Sequence, residues 1–283
     1  AARTPVIILS SDVWSGHADE AAAELVSEFD LPTVLTGMGR GLLPPGHPSM
    51  VTRARSAAFK GADVVVVVGA PLDFRLGYGI FGSHASPARV VHLTDSSDHR
   101  RPETVEVAVR GDLTLILRGL AERLGRRGTA APPEWIEGLR AVDRAARDRD
   151  AALLASAADP IHPARIYGEL IPRLADDAVT IGDGGDFVSF AGKFVEPSQP
   201  GSWLDPGPFG CLGTGLGYAI GARLSRPDSQ VTLLLGDGAA GFSLMDVDTL
   251  VRHDLPVVMV VGNNSGWGLE RGRRSRPHPG AEV

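Results

Sequence analysis

One stretch of this 283-residue chain constrains its fold more than any other, and it runs from Gly236 to Asn264. Two apolar runs, 231–235 and 257–261, have the length and β-branched content of buried strands, and the apolar residues between them recur at helical spacing. A strand, a helix and a second strand in this order form a right-handed crossover between parallel strands. Asp237 and Asn264 therefore belong at one edge of the sheet, where open α/β sheets bind ligands.

The residues at this edge predict a site for Mg²⁺ and a diphosphate. The sequence predicts that the helix starts after Gly238, so the free backbone N–H groups of the turn from Gly236 to Ala239 would face a docked phosphate. Asp237 offers a carboxylate oxygen and Asn264 an amide oxygen. Mg²⁺ takes few oxygens from a protein and shares the remaining positions with phosphates and water.

The same letters fit a rival pattern, because residues 236–241 match the G-x-G-x-x-G fingerprint of dinucleotide sites. That site also needs an acidic residue near the end of the next strand to hold a ribose, and Asn263 and Asn264 stand there instead. Two turns without any ligand are a further alternative. We favour the Mg²⁺-diphosphate interpretation because both motifs close one strand–helix–strand unit.

Gly236–Asn264 resembles the cofactor motif of thiamine diphosphate enzymes, and the residues around it are similar to the acetolactate synthase branch, especially its actinobacterial members. By that resemblance Asp237 and Asn264 ligate Mg²⁺, together with the backbone carbonyl of Gly266. Leu212 falls 25 residues before Asp237 and matches the family's bulky apolar residue. In the family this residue wedges between the two rings of the cofactor and bends it; an ordinary core leucine is the alternative here.

A second acidic glycine turn, Gly182–Asp186, follows an apolar run at 178–181. The family approaches the diphosphate and the substrate with this region, so the resemblance makes Gly184 and Gly185 candidates for close backbone contact with the cofactor. The alternative is a turn whose acidic side chains face water.

Residues 1–125 alternate apolar strands with helical segments, which predicts a doubly wound α/β domain. This segment resembles the central domain of thiamine diphosphate enzymes, which holds FAD in acetolactate synthases and ADP in oxalyl-CoA decarboxylases. By that resemblance Asp73 and Arg75 lie along the flavin, and Asp95 meets the adenosine end. A carboxylate just beyond a strand can accept hydrogen bonds from ribose hydroxyls.

The composition and the net charge argue against some kinds of partner. The net charge of −6 argues against a nucleic-acid partner, and no apolar run approaches the length of a membrane span. Cys211 is the single cysteine, which excludes an intrachain disulfide and fits the cytoplasm. We therefore expect a small-molecule substrate, with no nucleic-acid or membrane partner.

The predicted organisation is α/β throughout, with two doubly wound, mainly parallel-sheet domains. Residues 1–125 form the central domain, 126–158 an exposed linker with a solvated charged helix, and 159–270 a truncated C-terminal thiamine diphosphate-binding domain. The basic tail 271–283 lacks apolar periodicity and is expected to be disordered.

The resemblance implies an acetolactate synthase-like transferase of branched-chain amino acid biosynthesis, a flavoprotein that decarboxylates pyruvate-like 2-keto acids and joins them to a second keto acid. The full-length parent is expected to be a homodimer or homotetramer. No catalytic residue is assigned, because the activating glutamate belongs to an N-terminal domain that we expect to be missing, leaving the chain inactive alone. The alternatives are a 2-hydroxyacyl-CoA or oxalyl-CoA lyase and a non-catalytic nucleotide-binding remnant.

Overall fold

The computed structural model describes residues 2–96, 103–128 and 130–266. The chain divides into two compact units, the first comprising Ala1–Ala152 with Glu196–Trp203 and the second Leu153–Val195 with Leu204–Val283. Residues 267–283, which include the basic tail, lie outside the described residues, so the predicted disorder of the tail stays a prediction.

A five-stranded parallel sheet forms the centre of the first unit. Its strands are β1 (Pro5–Leu9), β2 (Thr33–Leu35), β3 (Val64–Val68), β6 (Arg89–Thr94) and β7 (Val105–Arg110), and a hairpin of β4 (Gly82–Ser83) and β5 (Ser86–Pro87) lies between β3 and β6 in the chain. The order across the sheet is β2-β1-β3-β6-β7, and the neighbouring strands run parallel. The order reverses between β1 and β3, where ligands of such sheets dock.

Helices cover both faces of this sheet. They are α1 (Ser11–Ser15), α2 (Asp19–Glu28), α3 (Arg55–Gly61), α4 (Leu113–Arg127) and α5 (Pro133–Leu154), with 3₁₀ turns at Gly37–Gly39, Thr52–Ala54 and Phe74–Gly79. One core holds Leu25 and Leu117 from α2 and α4, and a separate core holds Ala58 from α3 and Leu139 from α5. Two cores on one sheet are what a doubly wound domain requires, and the predicted fold class is confirmed for this unit.

Helix α5 differs from the exposed linker predicted over 126–158. The helix is grouped with the first unit as far as Ala152, and its buried positions recur every three or four residues along one face, as Ile136, Leu139, Asp143, Ala146 and Asp150. Two of these positions carry carboxylates. Their charge made the segment resemble a solvated face, although the spacing is that of a packed one.

The buried carboxylates of α5 are paired. Asp150 forms an ion pair with Arg53, whose side chain is 10% exposed against 3% for that of Asp150. Asp143 accepts from the backbone N–H of Arg53 at 2.8 Å and from Nε of Arg147 at 2.6 Å. Arg147 also reaches Glu196 at 2.7 Å, which ties the segment Glu196–Trp203 to the helix.

The second sheet has four strands in the order β11-β10-β8-β9. Its strands are β8 (Val179–Asp183), β9 (Trp203–Leu204), β10 (Val231–Gly236) and β11 (Val258–Gly262). Strands β8, β10 and β11 are parallel, as predicted. The helices are α6 (Pro163–Leu170), α7 (Gly185–Phe194), α8 (Gly215–Ser225), α9 (Asp237–Ser243) and α10 (Val247–Arg252), with 3₁₀ turns at Ile171–Arg173, Gly207–Phe209 and Leu244–Asp246.

The crossover between β10 and β11 is less regular than predicted. Helix α9 begins at Asp237, so Gly238 lies in its first turn and does not precede it. The 3₁₀ turn Leu244–Asp246 then separates α9 from α10. An aspartate in the first turn interacts favourably with the positive end of a helix, which explains the early start.

Candidate functional site

The carboxyl ends of β10 and β11 bring the predicted Mg²⁺ residues to one edge of the second sheet. The two strands are parallel neighbours with Gly236 opposite Gly262. Asp237 follows the end of β10 directly, and Asn264 follows the end of β11 by two residues. The backbone N–H groups of Gly238 and Ala239 belong to the first turn of α9, where helices leave N–H groups without an intrahelical partner.

The turn after β11 orders the asparagines. Oδ1 of Asn263 accepts from the N–H of Ser265 at 2.9 Å, and Oδ1 of Asn264 accepts from the N–H of Gly266 at 3.1 Å. These bonds hold Asn264 and Gly266, two of the three predicted ligand positions, in one short turn. Asp237 contributes the carboxylate.

The donor set fits Mg²⁺, since it consists of one carboxylate, one amide oxygen and one backbone carbonyl, all hard oxygen ligands. Within residues 2–96, 103–128 and 130–266, the structure contains no group of three or more His, Cys, Asp or Glu side chains that could hold a metal. The predicted set includes one residue of these types, so it is not a group of this kind.

The predicted wedge residue lies against the second glycine turn. A Cβ added to Gly184 would overlap Cδ2 of Leu212, so the two residues are in direct contact. Gly184 has φ +59° and precedes α7, and Gly185 opens the helix with φ +80°. Leu212 is half-buried and packs against the core of the second unit. The structure thus brings together Leu212 and Gly184, which are 28 positions apart in the sequence.

The edge of the first sheet holds the other three predicted residues. Asp73 and Arg75 pair with each other, with Nη2 of Arg75 2.9 Å from Oδ2 of Asp73. Asp73 also accepts from the backbone N–H of Arg75 at 2.9 Å and so caps the turn Phe74–Gly79. Asp95 follows β6 and is exposed.

Asp12, which the sequence analysis missed, lies near Asp95. Burial raises the pKa of Asp12 to about 6, and the nearby negative charge of Asp95 adds to the shift. The Ser-Ser-Asp run at 10–12, directly after the first apolar strand, was the available signal. Two neighbouring carboxylates make this part of the edge suited to hydroxyl groups and unsuited to a phosphate.

Each unit contains a region that matches a model of a known protein family. A family model described as "Thiamine pyrophosphate enzyme, central domain" matches residues 1–120, and one described as "Thiamine pyrophosphate enzyme, C-terminal TPP binding domain" matches residues 183–282. Thiamine pyrophosphate is another name for thiamine diphosphate. The chain belongs to the thiamine pyrophosphate enzyme family.

Its similarity within this family is to acetolactate synthases and to 2-hydroxyacyl-CoA lyases. It is 47% identical to the acetolactate synthase large subunit IlvG of Mycobacterium tuberculosis and to a probable acetolactate synthase of Mycobacterium bovis, over 95% of this chain and 48% of each relative. It is 40% identical to human 2-hydroxyacyl-CoA lyase 2, over 100% of this chain and 45% of that protein. The chain therefore spans about half the length of the relatives it matches.

The sequence analysis also missed the burial of Asp183. Asp183 ends β8 and is fully buried, whereas Asp186, in the same turn, is exposed, so only one of the two acids faces water. Burial raises the pKa of the Asp183 carboxyl, while hydrogen bonds from the backbone N–H groups of residues 213–215 act in the opposite direction. No pattern in the local sequence indicated this burial.

No helix among residues 2–96, 103–128 and 130–266 is long and apolar enough to cross a membrane.

Proposed function

We propose that this thiamine pyrophosphate enzyme chain binds its cofactor through a Mg²⁺ ion at the β10–β11 edge. One observation carries the proposal: the register of Gly236 with Gly262 puts the carboxylate of Asp237 and the turn of Asn264 at the same edge. Asp237, Asn264 and the carbonyl of Gly266 would hold the ion. The N–H groups of Gly238 and Ala239 would face the diphosphate that the ion shares.

Leu212, Gly184 and Gly185 would form the neighbouring part of the cofactor site. Glycine at 184 and 185 lets the backbone approach a ligand closely and permits the positive φ values found there. Leu212 offers an apolar surface for the rings. Bound thiamine diphosphate would supply the reactive carbon for 2-keto acid decarboxylation, and this chain's own residues would bind and orient it.

We propose acetolactate synthase-like chemistry as the reaction that this site serves, namely decarboxylation of a pyruvate-like 2-keto acid followed by carboligation. The 47% identity to two mycobacterial acetolactate synthases supports this assignment. A transferase that assembles as a homodimer or homotetramer follows from the same proposal.

A 2-hydroxyacyl-CoA lyase is the second candidate, and the 40% identity to the human lyase over the whole chain favours it. The two candidates differ in the ligand of the first unit, for which we propose FAD in a synthase and ADP in a lyase. In either case exposed Asp95 is available to ribose hydroxyls. Titration of the chain with FAD and with ADP separates the candidates, because the synthase assignment expects tighter binding of FAD.

Calorimetric titration with thiamine diphosphate, with and without Mg²⁺, tests the cofactor proposal. The wild-type chain should bind only when Mg²⁺ is present, and Asp237→Ala should lose this dependence together with most of its affinity. Asp228→Ala is the matched control, because Asp228 is exposed and precedes β10 at the opposite edge of the sheet. Equal binding by wild type and Asp237→Ala would show that the ion is held elsewhere.

A further inference from the structure

Asp183 holds the loop that follows Leu212. It is the last residue of β8, and its side chain is fully buried. Oδ1 accepts from the backbone N–H of Gly213 at 2.9 Å, and Oδ2 accepts from the backbone N–H of Gly215 at 2.9 Å. Each carboxylate oxygen thus accepts from the backbone of the same loop, and hydrogen bonds to an ionised acceptor are stronger than neutral ones.

The position of Asp183 at a helix start explains how a carboxylate is tolerated in the core. Gly215 is the first residue of α8, a helix of 11 residues, so its N–H lies at the positive end of the helix. A Cβ on Gly215 would lie 2.7 Å from Cβ of Asp183 and 2.6 Å from Cδ1 of Leu233. Only glycine lets this backbone approach the carboxylate so closely.

The other side of the loop is closed by the helix that begins at the predicted Mg²⁺ residue. Gly213 has φ +85°, and a Cβ there would lie 2.5 Å from Cβ of Phe242. Phe242 belongs to α9, whose first residue is Asp237. The loop is therefore fitted between Asp183 and the helix of the predicted metal site.

Leu212 immediately precedes this loop and lies against Gly184, the residue after Asp183. Two consecutive residues at the end of β8 consequently act on Leu212 from two directions. Asp183 fixes the backbone just beyond Leu212, and Gly184 leaves the space that its side chain fills.

We propose that Asp183 is a positioning residue for the cofactor, setting the place of Leu212 beneath the rings of thiamine diphosphate without touching the cofactor itself. The inference rests on the proposed function of the site. It adds that Asp183 affects the binding of the cofactor rings and not the binding of the diphosphate. Because Leu212 would contact the rings alone, Asp183 governs affinity for the ring-bearing cofactor and leaves affinity for the diphosphate moiety unchanged.

Titration of Asp183→Asn with two ligands in the presence of Mg²⁺ tests this selectivity. The amide keeps the shape of the carboxylate but turns one acceptor into a donor that faces an N–H group. Losing one such bond should weaken thiamine diphosphate binding about tenfold. Inorganic pyrophosphate, which has no rings, should bind as it does to wild type and to the exposed control Asp228→Asn. Equal weakening of both ligands, or no weakening, would overturn the proposal.

Double substitution tests whether Asp183 acts through Leu212. Residues that act as a unit are non-additive. In a Leu212→Ala background, Asp183→Asn should cause no further loss of thiamine diphosphate affinity. A further loss as large as that in the wild-type background would mean that Asp183 acts by another route.

Hydrogen exchange of the ligand-free chain separates this inference from the proposed function. In Asp183→Asn the amides of residues 213–215 should exchange faster, while those of β8 and β10 keep the wild-type rate. Unchanged exchange in the loop, or acceleration throughout the sheet, would show that Asp183 does not position the loop, whatever ligand the chain binds. Failure of the wild-type chain to bind thiamine diphosphate would instead overturn the proposed function, and with it the cofactor part of this inference.

Discussion

Leu212 packs on Gly184 so closely that a methyl group at Gly184 would overlap its Cδ2 atom. Gly184 also has φ +59°, a backbone conformation that residues with a side chain rarely adopt. We expect Gly184→Ala to lower the free energy of unfolding by about 1–3 kcal/mol, because backbone strain adds to the displacement of Leu212. Urea denaturation followed by circular dichroism measures the loss.

Gly185→Ala is the matched control for this substitution. Gly185 has φ +80°, but a Cβ there would meet no described residue beyond its chain neighbours within 4 Å. It should therefore carry the backbone strain without the contact. The Gly184→Ala loss should exceed the Gly185→Ala loss, and the excess should disappear in a Leu212→Ala background. Equal losses at the two positions would mean that the contact contributes nothing.

The edge that holds the predicted Mg²⁺ residues depends on a second glycine contact. A Cβ added to Gly262 would overlap the ring of Phe187, which is 8% exposed. Gly262→Ala should destabilise the chain by about 1–3 kcal/mol, as overpacking of a core does, and should displace the turn that contains Asn264. Thermal denaturation and the affinity for thiamine diphosphate with Mg²⁺ report the two effects.

Gly236→Ala is the control for this prediction, because Gly236 lies directly opposite Gly262 in the sheet. Its φ is −78°, and a Cβ there would meet no described residue beyond its chain neighbours within 4 Å. The free energy of unfolding of Gly236→Ala should stay within about 0.5 kcal/mol of wild type, as for substitutions that make no new contacts. A loss equal to that of Gly262→Ala would implicate the strand ends in general.

The sequence predicted the sheet edge well, because parallel strands and their carboxyl ends follow from the spacing of apolar runs alone. The contact of Leu212 with Gly184 could be anticipated only as two separate motifs, since no local pattern links residues 28 positions apart. The burial of Asp183 could not be anticipated at all. A carboxylate at the end of an apolar run produces the same sequence pattern whether its side chain faces water or accepts from backbone N–H groups.

Helix α5 shows a second limit of prediction from sequence. Its buried face carries Asp143 and Asp150 among apolar residues, so a pattern based on hydrophobicity assigns those positions to solvent. Their partners, Arg53 and Arg147, compensate the buried charge. Arg53 is 97 residues from Asp150 in the chain, and that pairing is a property of the tertiary structure.

Removal of Asp150 should show how much its ion pair with Arg53 contributes to the free energy of unfolding. Asp150→Ala removes the carboxylate that forms the ion pair with Arg53, whose side chain is 10% exposed. Breaking a buried pair on one side costs about 3–5 kcal/mol, so we expect a loss of this size in the free energy of unfolding of the first unit. Asp148→Ala, an exposed position of the same helix, should cost at most about 0.5 kcal/mol. Chemical denaturation of both variants should therefore separate them clearly, and similar midpoints would indicate that the pair is solvated.

The pair Asp12 and Asp95 predicts how the stability of the first unit depends on pH. Burial, and then the charge of Asp95, raise the pKa of Asp12 from 3.8 to about 6, so the folded state binds this proton more tightly than the unfolded state. The contribution of Asp12 to stability is therefore fully present below pH 3.8 and is lost as the pH rises through about 6. Asp12→Asn removes this dependence, and relative to wild type it should gain stability as the pH rises from 3.8 to about 6 in denaturation experiments. Asp95→Asn should produce a smaller gain, because it removes the lesser cause of the shift and leaves the burial. A gain from Asp95→Asn larger than that from Asp12→Asn would show that the charge of Asp95, more than burial, controls this carboxyl group.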